Sequence, residues 1–178
     1  PNEALIAGVP VSLREAGDTS ASNAVGFMWA NLATNVLDAK ARTLAIHASM
    51  KASKSHLYSL PKALRGPYTL ATMSPVIGVL MSGLGGRLPP PMNTTISNVP
   101  GPAEALYLKG ARLEAIYPVA IPFQGQGLNI TCVNYAGQLN VCCVGSRDKL
   151  PHLQNLALYL ADALAELETE LETELELN

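Results

Sequence analysis

Hydrophobic and polar positions divide the chain into segments of different period. Residues 4–13 (ALIAGVPVSL) are apolar and partly β-branched, and read as a buried strand that Pro10 interrupts, so a bulge or a sheet edge is expected there. The stretch from Glu15 to Asn23 is turn chemistry, and AVGFMWANLAT after it reads as a second strand, pairing with the first as a hairpin with a long loop. From Asp38 the period lengthens: Leu37, Ala41, Leu44, Ala45, Ala48 and Ala52 recur at three- and four-residue steps, which predicts a helix over 38–57 with Asp38 as N-cap. Its alanine-rich face suits close approach to a sheet.

Between Arg65 and Arg87 lie 21 residues without a charge, as many as a membrane span requires. Pro75, Gly78, Gly83, Gly85 and Gly86, together with four Ser/Thr hydroxyls, make a poor span. The segment suits instead a buried core helix or a helix lining an apolar ligand channel. LPPP at 88–91 is expected to be an extended turn, because successive prolines supply no donors. MNTTISNV then reads as a strand that runs into the rigid Pro100-Gly101-Pro102 loop. Residues 111–123 (ARLEAIYPVAIPF) read as another strand with a proline stop, and 125–146 as a hairpin turning at Ala136-Gly137. A long helix is expected from Pro151, with Leu153, Leu156, Ala157, Leu160, Leu164, Leu167 and Leu171 in one apolar stripe. The pattern amounts to an α+β or mixed sandwich, one β-sheet flanked by helices.

Charge changes this picture in one respect. Six of the fourteen acids, Glu166, Glu168, Glu170, Glu172, Glu174 and Glu176, fall in the last thirteen residues, leaving eight acids against twelve bases, a net +4, in residues 1–165. The bases form no run and alternate with no aromatics, so nucleic acid is not expected as a partner. Cys132, Cys142 and Cys143 contain no C-x-x-C and lie in an apolar alternating run, as reduced core thiols of a cytosolic protein would. No metal site is expected.

Catalytic chemistry is sparse. His47 and His56 lie nine apart on the basic helix, and His152 sits at the start of the terminal helix, where a positive charge is unfavourable. Hydrolase, zincin and nucleotide-loop motifs are missing, and Gln124-Gly125-Gln126-Gly127 reads only as a turn. Residues 93–102 (NTTISNVPGP) are different, because hydroxyls and amides on a rigid strand end are what a polarised carbonyl oxygen needs as donors.

ISNVPGP at 96–102, LYLKGARLEAIYPV at 106–119, GLNITCVNYAGQLNV at 127–141, LIAGVPVSLR at 5–14 and NAVGFMWANLAT at 23–34 together resemble the C-terminal part of the bacterial wax ester synthase/acyl-CoA:diacylglycerol acyltransferase family. The resemblance extends from about residue 5 to about residue 167. It implies a chloramphenicol acetyltransferase-like, CoA-dependent acyltransferase domain over 1–165, followed by an acidic helical tail over 166–178. Family members move a fatty acyl group from CoA to a fatty alcohol or diacylglycerol, with the second histidine of an HHxxxDG motif as general base. This chain has no such motif, so it is similar to a C-terminal half that takes its base from an N-terminal half and is inactive alone.

On that resemblance Thr95, Ser97 and Asn98, with Thr94 behind them, are oxyanion or substrate-orienting candidates, their directions open by one register step. Met73, Val76, Ile77, Gly78, Leu80 and Met81 are candidates for an acyl or acceptor tunnel, since each buried methylene contributes about 0.8 kcal/mol. Arg14, Lys62, Arg65, Arg87 and Arg112 are possible contacts for CoA phosphates. The expected partners are the N-terminal half, acyl-CoA as co-substrate, and a fatty alcohol or diacylglycerol. No permanently bound cofactor is expected, and the location expected is cytoplasmic with peripheral contact at a membrane or lipid inclusion. The competing reading is a non-catalytic lipid-binding or interaction module of the same fold.

Overall fold

A computed structural model describes residues 2–14, 24–84, 87–88 and 92–176. The expected turn at 15–23, Gly85, Gly86 and the prolines at 89–91 lie outside the described residues, as do the side chains of Leu171, Glu174 and Glu176.

Strands β1 (Ile6–Ser12) and β2 (Val25–Asn31) form the expected antiparallel hairpin. Helix α1 (Ala39–Ser59) starts where Asp38 accepts a 2.6 Å hydrogen bond from the Ala41 amide, as an N-cap should. It stops because Leu60 precedes a proline and is extended (φ −70°, ψ 143°).

Helix α2 (Lys62–Met81) contains both Pro67 and Pro75. Pro75 has no N–H to give to the carbonyl four residues back, that of Ala71. The Ser74 hydroxyl donates to this carbonyl instead, at 2.7 Å, and the helix continues. Among the described residues no helix is long and apolar enough to cross a membrane.

Strand β3 (Thr94–Pro100) follows, then a two-residue pair, β4 (Tyr107–Leu108) with β5 (Ala111–Arg112). The expected strand over 111–123 is corrected here: only its first two residues are β, and 113–123 has no ladder partner among the described residues. Pro118 and Pro122 have no N–H for a ladder, so alternation alone does not make a strand of this segment.

Strands β6 (Leu128–Tyr135) and β7 (Gln138–Gly145) form the second hairpin. Its turn has Ala136 at φ 47° and Gly137 at φ 80°, the two successive positive values of a type I′ connection. Turns occupy 151–154, so α3 (Asn155–Glu176) begins four residues after Pro151 and runs through 166 without a break.

The five long strands form one mixed sheet in the order β2-β1-β3-β6-β7, with β3 parallel to both neighbours. Pairing of β1 with β3 is confined to Ala7 and Gly8, so Pro10 lies past the end of that ladder, at a sheet edge as expected. Helices α1 and α2 pack on β2, and α1 touches α3. Ala7, Met28, Ala30, Leu57 and Met92 make a small dense core near β1 and β2.

Candidate functional site

Regular register along β3 resolves the direction of every candidate donor. Thr95 pairs with Asn129, Ser97 with Thr131 and Val99 with Val133, so these six side chains share one face of the sheet. Thr94, Ile96 and Asn98 share the other face with Leu128, Ile130 and Cys132. The four candidate donors therefore divide into two pairs, Thr95 with Ser97 and Thr94 with Asn98.

The hydroxyl protons then separate the candidates. Thr94 donates to the Leu128 carbonyl at 2.9 Å, and Thr95 donates to Oε1 of Gln126 at 3.1 Å. Both residues are buried and both protons are committed within the fold. Thr131 likewise donates to Oδ1 of Asn129, at 2.9 Å. Ser97, half-buried, and Asn98, exposed, keep their side chains out of any hydrogen bond among the described residues.

Gln126 is the residue that sequence reasoning missed. It is 8% exposed and lines a cavity of about 460 Å³ with Leu88, Phe123, Gly127, Ser146 and Lys149. Its Nε2 is buried with no partner among the described residues. No local pattern marks it, because its role depends on Thr95, 31 residues away.

At the other end of β3 the Pro100-Gly101-Pro102 corner is tied to the β6–β7 turn by the Ala136 amide, which donates to the Pro102 carbonyl at 3.0 Å. The Tyr135 hydroxyl lies nearby in the fold of the 103–125 segment. It accepts from the Leu106 amide at 2.8 Å and donates to the Leu113 carbonyl at 2.7 Å.

The tunnel candidates on α2 also divide. Val76 is buried, and Met73 and Leu80, three and four residues away, are half-buried, so these three share the inner side. Ile77 and Met81 are exposed, and a Cβ on Gly78 would meet nothing within 4 Å. Gly78→Ala is accordingly expected to stabilise the isolated chain by ~0.5–1 kcal/mol, the usual gain for removing a helix-interior glycine. A urea titration checks this, and a fall in the midpoint would mean that a neighbour does press on Gly78.

Among the described residues no hydrogen bond engages a histidine side chain. His56 packs edge-on against Tyr68, with ring centres 5.3 Å apart, and His152 lines an apolar pocket with Leu128, Leu156 and Tyr159. Arg65 donates to the carbonyls of Tyr58 and Leu60 and lies 5.0 Å from the Tyr58 ring, joining α1 to α2, and Arg112 is 3.8 Å from Glu114. Cys132, Cys142 and Cys143 are free thiols, half-buried. Burial raises the pKa of Cys132 and of Cys143, the latter further through its neighbouring cysteines. Among the described residues no cluster of His, Cys, Asp or Glu is suited to a metal ion.

Comparison with known proteins accounts for nearly all of this architecture. The family model described as WS/DGAT C-terminal domain matches residues 21–168. A Mycobacterium tuberculosis H37Rv protein bearing the name diacylglycerol O-acyltransferase is 44% identical over an alignment of 167 residues that covers 92% of this chain and 34% of that protein. The O-acyltransferase WSD of Acinetobacter baylyi is 37% identical, covering 92% of this chain and 35% of its own length. The structure of the wax ester synthase/diacylglycerol acyltransferase from Marinobacter aquaeolei VT8 superposes with a TM-score of 0.81 at 36% identity, over 96% of this chain and 38% of that one. The chain thus spans about a third of the length of these relatives.

Proposed function

The chain belongs to the WS/DGAT C-terminal domain family, and from that membership we propose that it is the C-terminal portion of an acyl-CoA-dependent O-acyltransferase. The substrates are a fatty acyl-CoA and either a fatty alcohol or a diacylglycerol. The observation that carries this reading is the likeness over 96% of this chain to an enzyme of which it covers only 38%.

In the reaction, the acceptor oxygen attacks the thioester carbonyl and its proton passes to a base. The carbon–sulfur bond then breaks, and the thiolate takes up the proton to leave as CoA. The base belongs to the N-terminal portion. The C-terminal portion supplies Ser97 as a free polar group on the face of β3 that carries Thr95, Asn98 as one on the opposite face, and the inner α2 residues Met73, Val76 and Leu80 as tunnel wall. The exposed Leu70, Ile77 and Met81 on α2 support peripheral contact with a cytoplasmic membrane face or lipid inclusion.

The test is a CoA-release assay with acyl-CoA and either acceptor, on this chain alone and on this chain joined to the N-terminal portion of a relative. Turnover is expected only from the joined protein. Turnover by this chain alone, or none from a folded joined protein with either acceptor, overturns the reading.

A further inference from the structure

The buried carboxamide of Gln126 points to a second element of the site, which rests on the acyltransfer reading above. We propose that Gln126 Nε2 is a substrate-binding hydrogen-bond donor to a carbonyl oxygen borne by one of the two substrates, the thioester or an acceptor ester, and that Thr95 is the positioning residue that aims it.

Three observations converge. Buried donors in folded proteins are almost always paired. Gln126 is 8% exposed, yet its Nε2 has no partner among the described residues. Its orientation is set, because the Thr95 hydroxyl, itself 5% exposed, donates its only proton to Oε1 at 3.1 Å and leaves Nε2 as the free end. The same residue lines the cavity of about 460 Å³, and because Nε2 itself is sealed from solvent, a small rotation of the carboxamide is what brings it to an incoming acceptor atom there.

The surroundings define that atom. Leu88 and Phe123 are apolar walls, Ser146 is a hydroxyl, and Lys149 is exposed, its Cβ 3.8 Å from where a side chain on Gly127 would begin. Among the described residues no carboxylate lines the cavity, so it is not built for a cation. A neutral N–H among apolar walls suits the oxygen of an ester or thioester carried on a hydrocarbon chain. The arrangement also moves a role within the fold: Thr95 has no proton left for a substrate, and the donor it would have been is Gln126.

The carbonyl has two possible sources, and kinetics on the joined protein separates them. Gln126→Met keeps the side-chain length and removes the donor. If the partner is the ester of a diacylglycerol, kcat/KM falls about tenfold with that acceptor and is unchanged with a fatty alcohol. If it is the thioester, kcat falls ~100-fold with both acceptors, as when an oxyanion donor is lost. Thr95→Val is expected to give a smaller loss with the same acceptor pattern, and the double variant to be no worse than Gln126→Met. Equal rates for folded Gln126→Met and the parent protein overturn the proposal.

A binding measurement guards against misfolded variants. With this chain labelled with nitrogen-15, the Gln126 side-chain amide resonance is expected to move on titration with methyl laurate, and an unmoved resonance at saturation overturns the proposal. A moved resonance without turnover in the joined protein would defeat the acyltransfer reading while leaving the Gln126 site standing.

Discussion

Gly101→Ala is expected to destabilise the chain by ~3 kcal/mol, near the upper end of what overpacking costs. A Cβ on Gly101 would overlap the carbonyl oxygen of Asn134 and lie 3.0 Å from a methyl of Val133. The Asn134 oxygen belongs to the backbone of β6, which is held on one side by β3 and on the other by β7, so it has no rotamer by which to withdraw. Strand β3 has no easy escape either, since Pro102 is fixed to Ala136 just beyond. In a domain of this size the cost corresponds to a fall of ~6–12 °C in the thermal midpoint. Differential scanning calorimetry of the chain and its variant measures it, with Gly78→Ala, at a site with open space, as the opposite-signed control. A midpoint within about 1–2 °C of the parent would mean that β3 and β6 separate readily at this corner, contrary to their paired register.

This glycine lies in the ISNVPGP block on which the sequence resemblance partly rests. Its residue type follows from the close approach of the paired strand β6 just past the end of β3, whereas chemistry would be carried by Ser97 and Asn98, four and three residues earlier. Sequence reasoning located the block but not this division of labour, because the approach of Asn134 is a contact across 33 positions. Where one short-range rule decides the outcome, residues and structure agree: Asp38 caps α1, and Ala136-Gly137 turns the second hairpin. Period alone fails over 113–123. Tyr117, Val119 and Ile121 alternate with half-buried Pro118 and Ala120 as a strand would, yet they are 66%, 76% and 85% exposed, and among the described residues no strand lies beside them. The site was legible to the level of β3 and no further. Faces follow from pairing register, which fixes Thr95 and Ser97 together, and the free donor follows from counting protons, which moves attention to Gln126.

Tyr135→Ala is expected to cost ~3–5 kcal/mol, the range for emptying an aromatic from a core, and to release the segment that carries Phe123 and Gln126. Tyr135 is 1% exposed and is among the largest fully buried side chains of the described residues. Its ring fills the end of the face on which Thr95, Asn129 and Thr131 lie, and its hydroxyl joins Leu106 to Leu113 across the β4–β5 pair. Tyr135→Phe separates the two contributions. It keeps the ring, loses both hydrogen bonds, and is expected to cost about 1–2 kcal/mol, since the half-exposed Leu106 and Leu113 can turn to water for replacement partners. Both variants should speed proteolytic cleavage between 103 and 123 relative to the rest of the chain, measured by mass spectrometry of early fragments. With Tyr135→Phe, cleavage in this segment should rise severalfold beyond what the loss of about 1–2 kcal/mol seen in urea unfolding produces elsewhere in the chain, because the anchored segment is loosened most. Cleavage that rises uniformly along the chain would instead mean that the hydroxyl supports the whole sheet. In the joined protein, Tyr135→Phe should weaken any dependence of turnover on Gln126, because the segment that leads into Phe123 and Gln126 would no longer hold them at the cavity wall.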